Sequence, residues 1–278
     1  MNVPAVTDLA SALAWARKRI PAPEARLLLR YVRRCQAAHL VAWPEEALPA
    51  AEWEIFRNLV ERRATGEPVA YLLGEREFYG RAFLVNPKVL IPRPETEVLV
   101  ELALARFGAE SQLKVLDLGT GSGALAITLA LELDRADVTG IDWSREALGV
   151  AMSNAIRLGA RVSFLCSDWY AALGNERYRL IVANPPYVAK SDPHLILGDL
   201  RFEPRAALAA GEDGLADLAC IAAGAGRHLE KGGCLFMEHG YDQAAAVRSL
   251  LADAGFASIA SWRDLAGIER VSGGCWTG

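Results

Sequence analysis

The sequence predicts an α/β protein with a doubly wound, mostly parallel sheet, preceded by a small helical domain and a connecting β-hairpin. From Lys114 onwards, short apolar strands alternate with amphipathic helices. Repeated units of this kind favour a parallel sheet with helices on both faces. The first 65 residues show only helical periodicity. Between these regions, residues 76–79 and 82–85 flank a turn at Gly80, which predicts the hairpin.

The N-terminal helices follow from apolar spacing. Leu9 and Leu13 begin one helical pattern, and Pro21 interrupts it. A second pattern runs over residues 25–32 and a third over residues 53–60. The first 65 residues carry 10 Lys/Arg and 7 Asp/Glu, a net charge of +3, against −4 for the whole chain. We attribute this excess to the solvated face of a helical bundle rather than to a nucleic-acid grip.

The later elements can be placed in chain order. The hairpin strands are expected at residues 76–79 and 82–85, followed by a segment over residues 90–94 that two prolines hold extended. Further strands are expected at residues 115–118, 138–142, 162–166, 180–183, 234–238 and 257–262. Helices are expected at residues 94–107, 124–133, 144–158, 215–229 and 243–254, and the placement of a last strand stays open.

Composition narrows the class of protein. The 278 residues are 52% hydrophobic and 23% charged, which excludes intrinsic disorder. No apolar stretch approaches the ~20 residues of a membrane helix. The basic cluster Arg17-Lys18-Arg19 follows the first apolar stretch, whereas a secretory signal has its basic residues first. We therefore expect a cytoplasmic protein that has no membrane partner and acts as a monomer.

Cysteine content and charge exclude further classes. The five cysteines form an odd set without a C-x-x-C pair, which predicts reduced thiols rather than a disulfide scaffold or a zinc site. The four histidines are scattered, so no metal site is expected. A net charge of −4 provides no overall basic field for duplex nucleic acid, although a local patch stays possible.

A glycine-rich loop lies between the first strand of the alternating region and the next helix. It comprises Gly119, Thr120, Gly121, Ser122 and Gly123. Glycines let the backbone approach a ligand at a helix N-terminus. Asp142 ends the following strand, where an acidic residue accepts hydrogen bonds from ribose hydroxyls. Because Gly119, Gly121 and Ala124 also satisfy the dinucleotide fingerprint, a nicotinamide enzyme is still open at this point.

Asp117 favours a different adenine nucleoside. It lies two residues before Gly119, at the carboxyl end of the first strand. A carboxylate is awkward beside a pyrophosphate, but it suits a cationic ligand such as S-adenosylmethionine, which carries a sulfonium and an ammonium group.

The motif Asn184-Pro185-Pro186-Tyr187 directly follows the fourth strand, beside the expected point of strand-order reversal. The two prolines stiffen the loop and remove two backbone donors. The side-chain carbonyl of Asn184 and the backbone carbonyl of Pro185 can accept both N–H bonds of a planar amino group, and the Tyr187 ring can stack on it. Methyl transfer to a weakly nucleophilic nitrogen depends chiefly on such orientation.

These motifs together resemble a known family. The glycine loop and the Asn-Pro-Pro-Tyr motif resemble amino-methyltransferases that use S-adenosylmethionine. Three further segments are similar to the PrmC/HemK family of protein-(glutamine) methyltransferases, which act on class 1 peptide-chain release factors. They are residues 90–97 (LIPRPETE), 202–208 (FEPRAAL) and 238–243 (EHGYDQ), and the resemblance covers nearly the whole chain except its last ten residues, which match less well.

The resemblance implies a Rossmann-like class I methyltransferase fold and a target, the glutamine of the release factor's Gly-Gly-Gln tip. It implies a helical recognition domain over residues 1–72, a hairpin linker over 73–92 and a methyltransferase domain over 93–278. The donor would be S-adenosylmethionine and the product S-adenosylhomocysteine. Implied cofactor-binding residues are Asp117, Gly119, Thr120, Gly121, Ser122, Gly123, Asp142, Asp168, Trp169 and Asn184, and Asn184, Pro185, Pro186 and Tyr187 would hold the glutamine amide.

Several residues have two interpretations. Arg93, Glu95 and Glu97 lie either near the site or in helix-start and ion-pair positions. We favour a structural role for His239 over a general base, because an amide can lose its proton after methyl transfer. Two other functions stay open: methylation of nucleic acid by the same reaction centre, and a non-catalytic module that keeps only the fold.

Overall fold

The structure is a computed structural model that describes residues 8–278. The chain divides into two compact units, Met1–Gly74 and Glu75–Gly278. The hairpin therefore belongs to the second unit. The predicted N-terminal domain starts at residue 1, and its first seven residues lie outside the described part of the chain.

The first unit is helical. Asp8 caps its first helix by accepting the Ser11 N–H at 2.7 Å. Trp15 packs edge-on against Trp53 with ring centroids 4.9 Å apart, and Phe56 is fully buried beside them. The three predicted helices are present, and two short ones accompany them. The helices are α1 (Leu9–Ala16), α2 (Ala22–Arg33), α3 (Ala37–Ala42), α4 (Ala50–Ala64) and α5 (Val69–Leu73).

The hairpin opens the second unit with β1 (Glu75–Phe78) and β2 (Arg81–Leu84), each one residue earlier than predicted. Its two turn residues, Tyr79 and Gly80, have φ of 49° and 71°. Positive φ at both central positions is the requirement of a tight type I′ turn. Phe78 and Phe83 then pack edge to face in the core of this unit.

A seven-stranded sheet forms the centre of the second unit. Its strands are β3 (Lys114–Leu118), β4 (Asp137–Asp142), β5 (Val162–Cys166), β6 (Tyr178–Ala183), β7 (Leu229–Glu238), β8 (Phe256–Arg263) and β9 (Glu269–Trp276). The order is β5-β4-β3-β6-β7-β9-β8. Strands β3 to β7 pair in parallel, whereas β9 runs antiparallel to both β7 and β8.

Helices cover both faces of this sheet. They are α6 (Glu97–Phe107), α7 (Ala124–Glu132), α8 (Arg145–Leu158), α9 (Ala216–His228) and α10 (Ala244–Asp253). One buried cluster contains Phe107 and Ile127, and a second contains Ile221 and Val247. The predicted doubly wound α/β fold is thus confirmed. The strand order reverses between β3 and β6, which is where such sheets bind ligands.

One expectation about cysteines is wrong. The register of β7 and β9 places Cys234 opposite Cys275, and the two form a disulfide. The pair is separated by 41 residues, so the spacing of cysteines in the sequence contained no sign of it. Cys35, Cys166 and Cys220 are free thiols.

Neither a membrane-spanning helix nor a metal-binding cluster occurs among the described residues. No helix within residues 8–278 is long and apolar enough to cross a membrane. In the same range, no group of three or more His, Cys, Asp or Glu side chains is arranged to hold a metal ion.

Candidate active site

A cavity of about 610 Å³ lies at the carboxyl ends of β3, β4, β5 and β6. A volume of this size suits a small molecule. Seven of the predicted site residues line it: Gly119, Gly121, Asp142, Asp168, Trp169, Asn184 and Pro186. The other predicted site residues, Asp117, Thr120, Ser122, Gly123, Pro185 and Tyr187, are not among the lining residues.

The glycine loop owes its shape to left-handed backbone conformations. Gly119, Gly121 and Gly123 have φ of 75°, 55° and 80°, which disfavour any residue with a side chain. A Cβ at Gly123 would also lie 2.8 Å from the Ile127 side chain. The loop therefore reaches the cavity with bare backbone at Gly119 and Gly121, while Gly123 packs against the helix that it starts.

Asp142 joins the loop to β4. One carboxylate oxygen accepts the Gly121 N–H at 2.9 Å, and the other accepts the Ser144 N–H at 2.9 Å. Burial raises the pKa of this carboxyl, and the two backbone hydrogen bonds partly oppose that effect. The side chain also lines the cavity, as a ribose-binding residue must.

Asp117 supports the loop from beneath. It is 1% exposed and accepts hydrogen bonds from the Thr120 hydroxyl at 2.7 Å and the Ala126 N–H at 3.2 Å. Burial raises the pKa of Asp117 to about 7, although the hydrogen bonds from Thr120 and Ala126 act in the opposite direction. Asp117 is not part of the cavity lining, so its influence on a ligand would be electrostatic.

Trp169 forms part of the cavity wall next to the glycine loop. Its backbone has φ of 42°, which is uncommon for a bulky residue. Its ring lies 3.6 Å from where a Cβ of Gly119 would be, so the absence of a side chain at Gly119 leaves space over the ring. Its side chain also hydrogen-bonds to Asp217 of α9, a cavity-lining residue that sequence reasoning missed.

The Asn-Pro-Pro-Tyr motif contributes Asn184 and Pro186 to the cavity wall. The Asn184 side-chain amide donates to the Thr96 hydroxyl at 2.9 Å, and Thr96 donates to Glu238 at 2.6 Å. The Tyr187 hydroxyl donates to the other oxygen of Glu238 at 3.1 Å. Burial, followed by the charge of Glu238, raises the pKa of Tyr187, so this phenol is neutral.

Sequence reasoning missed Thr96 and Glu238, although both lie in segments that carry the family resemblance. Glu238 is 1% exposed, and burial raises its pKa to about 7. Both segments, LIPRPETE and EHGYDQ, contain other polar residues as well, so no local signal singled out Thr96 or Glu238. Only the folded chain shows that the two residues, 142 positions apart, are hydrogen-bonded.

The segments 90–97 and 202–208 also meet. Arg93 forms an ion pair with Glu203, whose carboxylate additionally accepts the Ile91 N–H at 3.0 Å. Glu97 accepts the Tyr79 N–H at 2.8 Å. None of Arg93, Glu95 and Glu97 lines the cavity. The contacts of Arg93 and Glu97 match the ion-pair and helix-start interpretation of these residues.

His239 lies outside the cavity lining and is fully buried. Its Nδ1 donates to the Gly240 carbonyl at 2.9 Å, and its Nε2 accepts from the Ser272 hydroxyl at 2.8 Å. Burial lowers the pKa of this imidazole. Because both ring nitrogens have partners in the protein, the structural interpretation accounts for His239.

The sheet order, with an antiparallel last pair and a cavity at the reversal point, is that of Rossmann-like methyltransferases. A methyltransferase from Pyrococcus furiosus shares the fold, with a TM-score of 0.55 and 17% identity over 80% of this chain and 98% of its own. A 16S rRNA methyltransferase from T. thermophilus shares it with a TM-score of 0.53 and 22% identity over 73% and 49%. The Methyltransferase small domain model matches residues 95–211. This protein is an S-adenosylmethionine-dependent methyltransferase.

Sequence comparison then identifies the family. The PrmC N-terminal domain model matches residues 5–74. Release factor glutamine methyltransferases from Bordetella pertussis and Burkholderia pseudomallei are 54% and 50% identical to this chain, covering 92% of it and 95% and 92% of their own lengths. The Shewanella oneidensis protein of that name is 42% identical over 97% of this chain and 96% of its own. The chain belongs to the release factor glutamine methyltransferase family, and the resemblance seen in the sequence is confirmed.

Proposed function

We propose that this protein methylates the side-chain amide nitrogen of the glutamine in the Gly-Gly-Gln tip of class 1 peptide-chain release factors. The proposal rests on the position and the hydrogen bonding of Asn184. This residue lies at the cavity wall with its amide nitrogen bonded to Thr96, which leaves its carbonyl oxygen for a substrate amide. The family's relatives bear the name of this activity. The reaction would support translation termination, and we therefore propose a cytoplasmic location.

The cavity residues fit S-adenosylmethionine. The Asp142 carboxylate lines the cavity, and each of its oxygens retains a lone pair for a ribose hydroxyl beyond its bond to Gly121 or Ser144. The Trp169 ring offers a flat apolar surface for adenine, and Gly119 allows close approach. When bound, S-adenosylmethionine supplies an activated methyl group on a positively charged sulfur and leaves as S-adenosylhomocysteine.

Orientation of the substrate amide is the task of the Asn-Pro-Pro-Tyr loop. In this proposal, the Asn184 side-chain carbonyl and the Pro185 backbone carbonyl accept the two N–H bonds of the glutamine amide. Holding a weak nucleophile in line for attack can lower the barrier by several kcal/mol, about 7–11 in favourable cases. The amide releases one proton to water after transfer, so the chain needs no general base. Tyr187 stiffens the loop through Glu238.

We also propose that the N-terminal unit recognises the body of the release factor. A cleft of about 270 Å³ in this unit is lined by Arg17, Arg26 and Arg30 over an apolar floor that includes Leu13 and Leu40. These three arginines have no ion-pair partner within residues 8–278. In the same unit, Arg33, Arg57, Arg62 and Arg63 do form ion pairs. A cleft with unpaired guanidinium groups suits an acidic segment of a partner protein.

The test is mass spectrometry of a release factor incubated with the protein and S-adenosylmethionine. One added methyl group on the tip glutamine is expected, and a release factor with glutamate at that position should stay unmodified. Total RNA and DNA serve as parallel substrates with a labelled methyl donor. Methyl transfer to nucleic acid alone would favour the nucleic-acid alternative. Binding of the donor without any transfer would favour a non-catalytic module.

A further inference from the structure

A buried chain of hydrogen bonds leads away from the reaction site. Asn184, at the end of β6, donates from Nδ2 to the Thr96 hydroxyl at 2.9 Å. Thr96, in the short turn before α6, donates to Oε2 of Glu238 at 2.6 Å. Tyr187 donates to Oε1 of Glu238 at 3.1 Å. Thr96 is 6% exposed and Glu238 is 1% exposed, so water does not substitute for these partners.

The direction of each bond in this chain follows from its last member. An ionised carboxylate can only accept hydrogen bonds, so the single proton of the Thr96 hydroxyl must point to Glu238. The Thr96 oxygen then faces Asn184 only as an acceptor, and Asn184 must present its NH₂ end. The two ends of an asparagine amide have nearly the same shape, so the hydrogen-bond network determines which one faces which way.

We infer that Thr96 and Glu238 are positioning residues that fix which end of the Asn184 amide faces the cavity, an inference that rests on the proposed function. Oδ1 of Asn184 accepts no hydrogen bond from the described residues and is the end left for the substrate. With the amide reversed, NH₂ would face the substrate N–H bonds, donor against donor. The acceptor that aligns the substrate nitrogen would then be lost.

The same geometry makes the orientation sensitive to pH. Burial and the charge of Glu95 raise the pKa of Glu238, to about 7, against the hydrogen bonds from Thr96 and Tyr187 and the charge of Arg270. Once protonated, Glu238 can donate to Thr96, which frees the Thr96 proton to point at Asn184 and favours the reversed amide. Turnover is therefore expected to be full above about pH 7 and to fall as the pH decreases through that value.

The experiment compares Thr96→Val, which keeps the shape but removes the hydroxyl, with Thr96→Ser, which restores it. A short Gly-Gly-Gln peptide is the substrate, and full-length protein is used throughout. We expect Thr96→Val to lower kcat about 100-fold, as expected for loss of alignment. Thr96→Ser should recover most of that loss, and the Kd for S-adenosylmethionine should stay within about threefold, roughly 0.65 kcal/mol, in both variants. Thr128→Val is the matched control, because the Thr128 hydroxyl is buried and has no hydrogen-bond partner within residues 8–278.

A pH profile tests Glu238 separately. Wild-type kcat should show an inflection near pH 7, the value to which burial raises the pKa of Glu238. Glu238→Gln should reduce that inflection, since the amide does not titrate, and should leave only the contribution of Asp117, whose pKa burial also raises to about 7. It should also lower kcat because its NH₂ can donate to Thr96. An inflection whose amplitude is unchanged in Glu238→Gln and is removed by Asp117→Asn alone, or a Thr96→Val enzyme with wild-type kcat, overturns the inference while leaving the proposed function intact.

A readout without turnover separates the two proposals. In an ¹⁵N spectrum of the protein alone, the Asn184 side-chain NH₂ should exchange slowly with water, and Thr96→Val should make that exchange faster by at least about 10-fold. Rapid exchange in the wild type contradicts the positioning role of Thr96 and Glu238. Slow exchange in a protein that methylates neither the peptide nor an intact release factor supports the positioning role and contradicts the proposed function. If Thr96→Val does not fold, the inference is tested by the exchange rate of the Asn184 side-chain NH₂ in the wild type and by the pH profile of kcat in Glu238→Gln.

Discussion

The Asp142 carboxylate accepts the backbone N–H of Gly121 at 2.9 Å, and this bond ties the end of β4 to the glycine loop after β3. Its other oxygen holds the Ser144 N–H at the start of α8. A residue expected only to bind a ribose therefore also shapes the loop on which the ligand would lie. Removing the Asp142 carboxylate should therefore weaken ligand binding in two ways, by loss of the ribose contact and by loosening of the glycine loop.

Asp142→Ala should raise the Kd for S-adenosylmethionine by at least 10-fold. Hydrogen bonds to a charged group contribute about 1.5–3 kcal/mol each, and the loosened loop adds to the loss. Isothermal titration calorimetry measures the change. Asp137→Ala, at the exposed start of the same strand, is the control and should bind normally. An unchanged Kd in Asp142→Ala would show either that the cavity binds a different ligand or that S-adenosylmethionine binds away from Asp142.

Asn184→Ala should lower kcat by about 100-fold or more while weakening donor binding only modestly, because the lost carbonyl orients the substrate nitrogen. Asn184→Asp should fail as well. Its carboxylate cannot donate to Thr96, and it adds a negative charge close to buried Glu238. Steady-state kinetics on a Gly-Gly-Gln peptide, with donor affinity measured alongside, provide the check. Near-normal turnover in Asn184→Ala would remove this residue from the reaction centre.

Arg93→Ala should destabilise the fold by about 3 kcal/mol, since it leaves the fully buried Glu203 side chain without its ionic partner. Glu203→Gln in the same background should restore part of the loss, because no buried charge is left unpaired. Urea unfolding followed by circular dichroism measures both. Lys114→Ala breaks the exposed ion pair with Glu176, which solvent screens, and should lower stability far less than Arg93→Ala does. Equal costs at the two pairs would contradict this account.

Asp117 should make stability depend on pH. Burial raises its pKa from 3.8 to about 7, so the folded protein binds this proton more tightly than the unfolded chain does. The stabilisation is complete below the unfolded pKa and disappears as the pH rises through about 7. Between about pH 8 and pH 5, wild type should gain about 3 kcal/mol relative to Asp117→Asn. Denaturant titrations at both pH values measure the free energy of unfolding of each protein. If the difference in this free energy between wild type and Asp117→Asn does not change with pH, the prediction is wrong.

The strands and helices that the sequence predicted share strong local signals. The apolar strands around β3 to β6 are bounded by glycine, proline or acidic residues, and their observed limits lie within two residues of the predicted ones. Helices α3 and α5 were missed because six and five residues are too few for a helical period. Strand β9 was not placed because it contains Gly273 and Gly274 and has little apolar alternation. Its position between β7 and β8 depends on pairing across the sheet.

Some residues of the candidate site could be predicted from the sequence and others could not. Residues next to a strand end, such as Asp142 and Asn184, were predictable because the carboxyl ends of neighbouring parallel strands meet. Their partners were not, since the Thr96–Glu238 bond spans 142 residues and the Arg93–Glu203 pair spans 110. Local sequence patterns contain no information on such contacts. Which predicted residues touch a bound donor or substrate stays a prediction.

Reversing the charge of the N-terminal cleft should separate protein recognition from catalysis. Arg26 and Arg30 lie one helical turn apart on α2 and line the cleft without ion-pair partners within residues 8–278. Arg26→Glu with Arg30→Glu should raise KM for an intact release factor by about 10-fold or more, because two charge-assisted contacts become repulsions. The kcat/KM for a short Gly-Gly-Gln peptide should change less than about twofold, since a single glutamine does not reach a separate recognition surface.

Lys18→Glu is the matched control for this double variant, because Lys18 is exposed and lies outside the cleft lining. Deleting the unit up to Gly74 is a harsher version of the same test. It should preserve binding of S-adenosylmethionine, provided that circular dichroism shows the remaining fold intact, and should affect the protein substrate far more than the peptide. Equal losses on peptide and release factor would instead give the N-terminal unit a part in catalysis. That result would mean that the specificity of this enzyme for a protein substrate comes from the rim of the cavity itself.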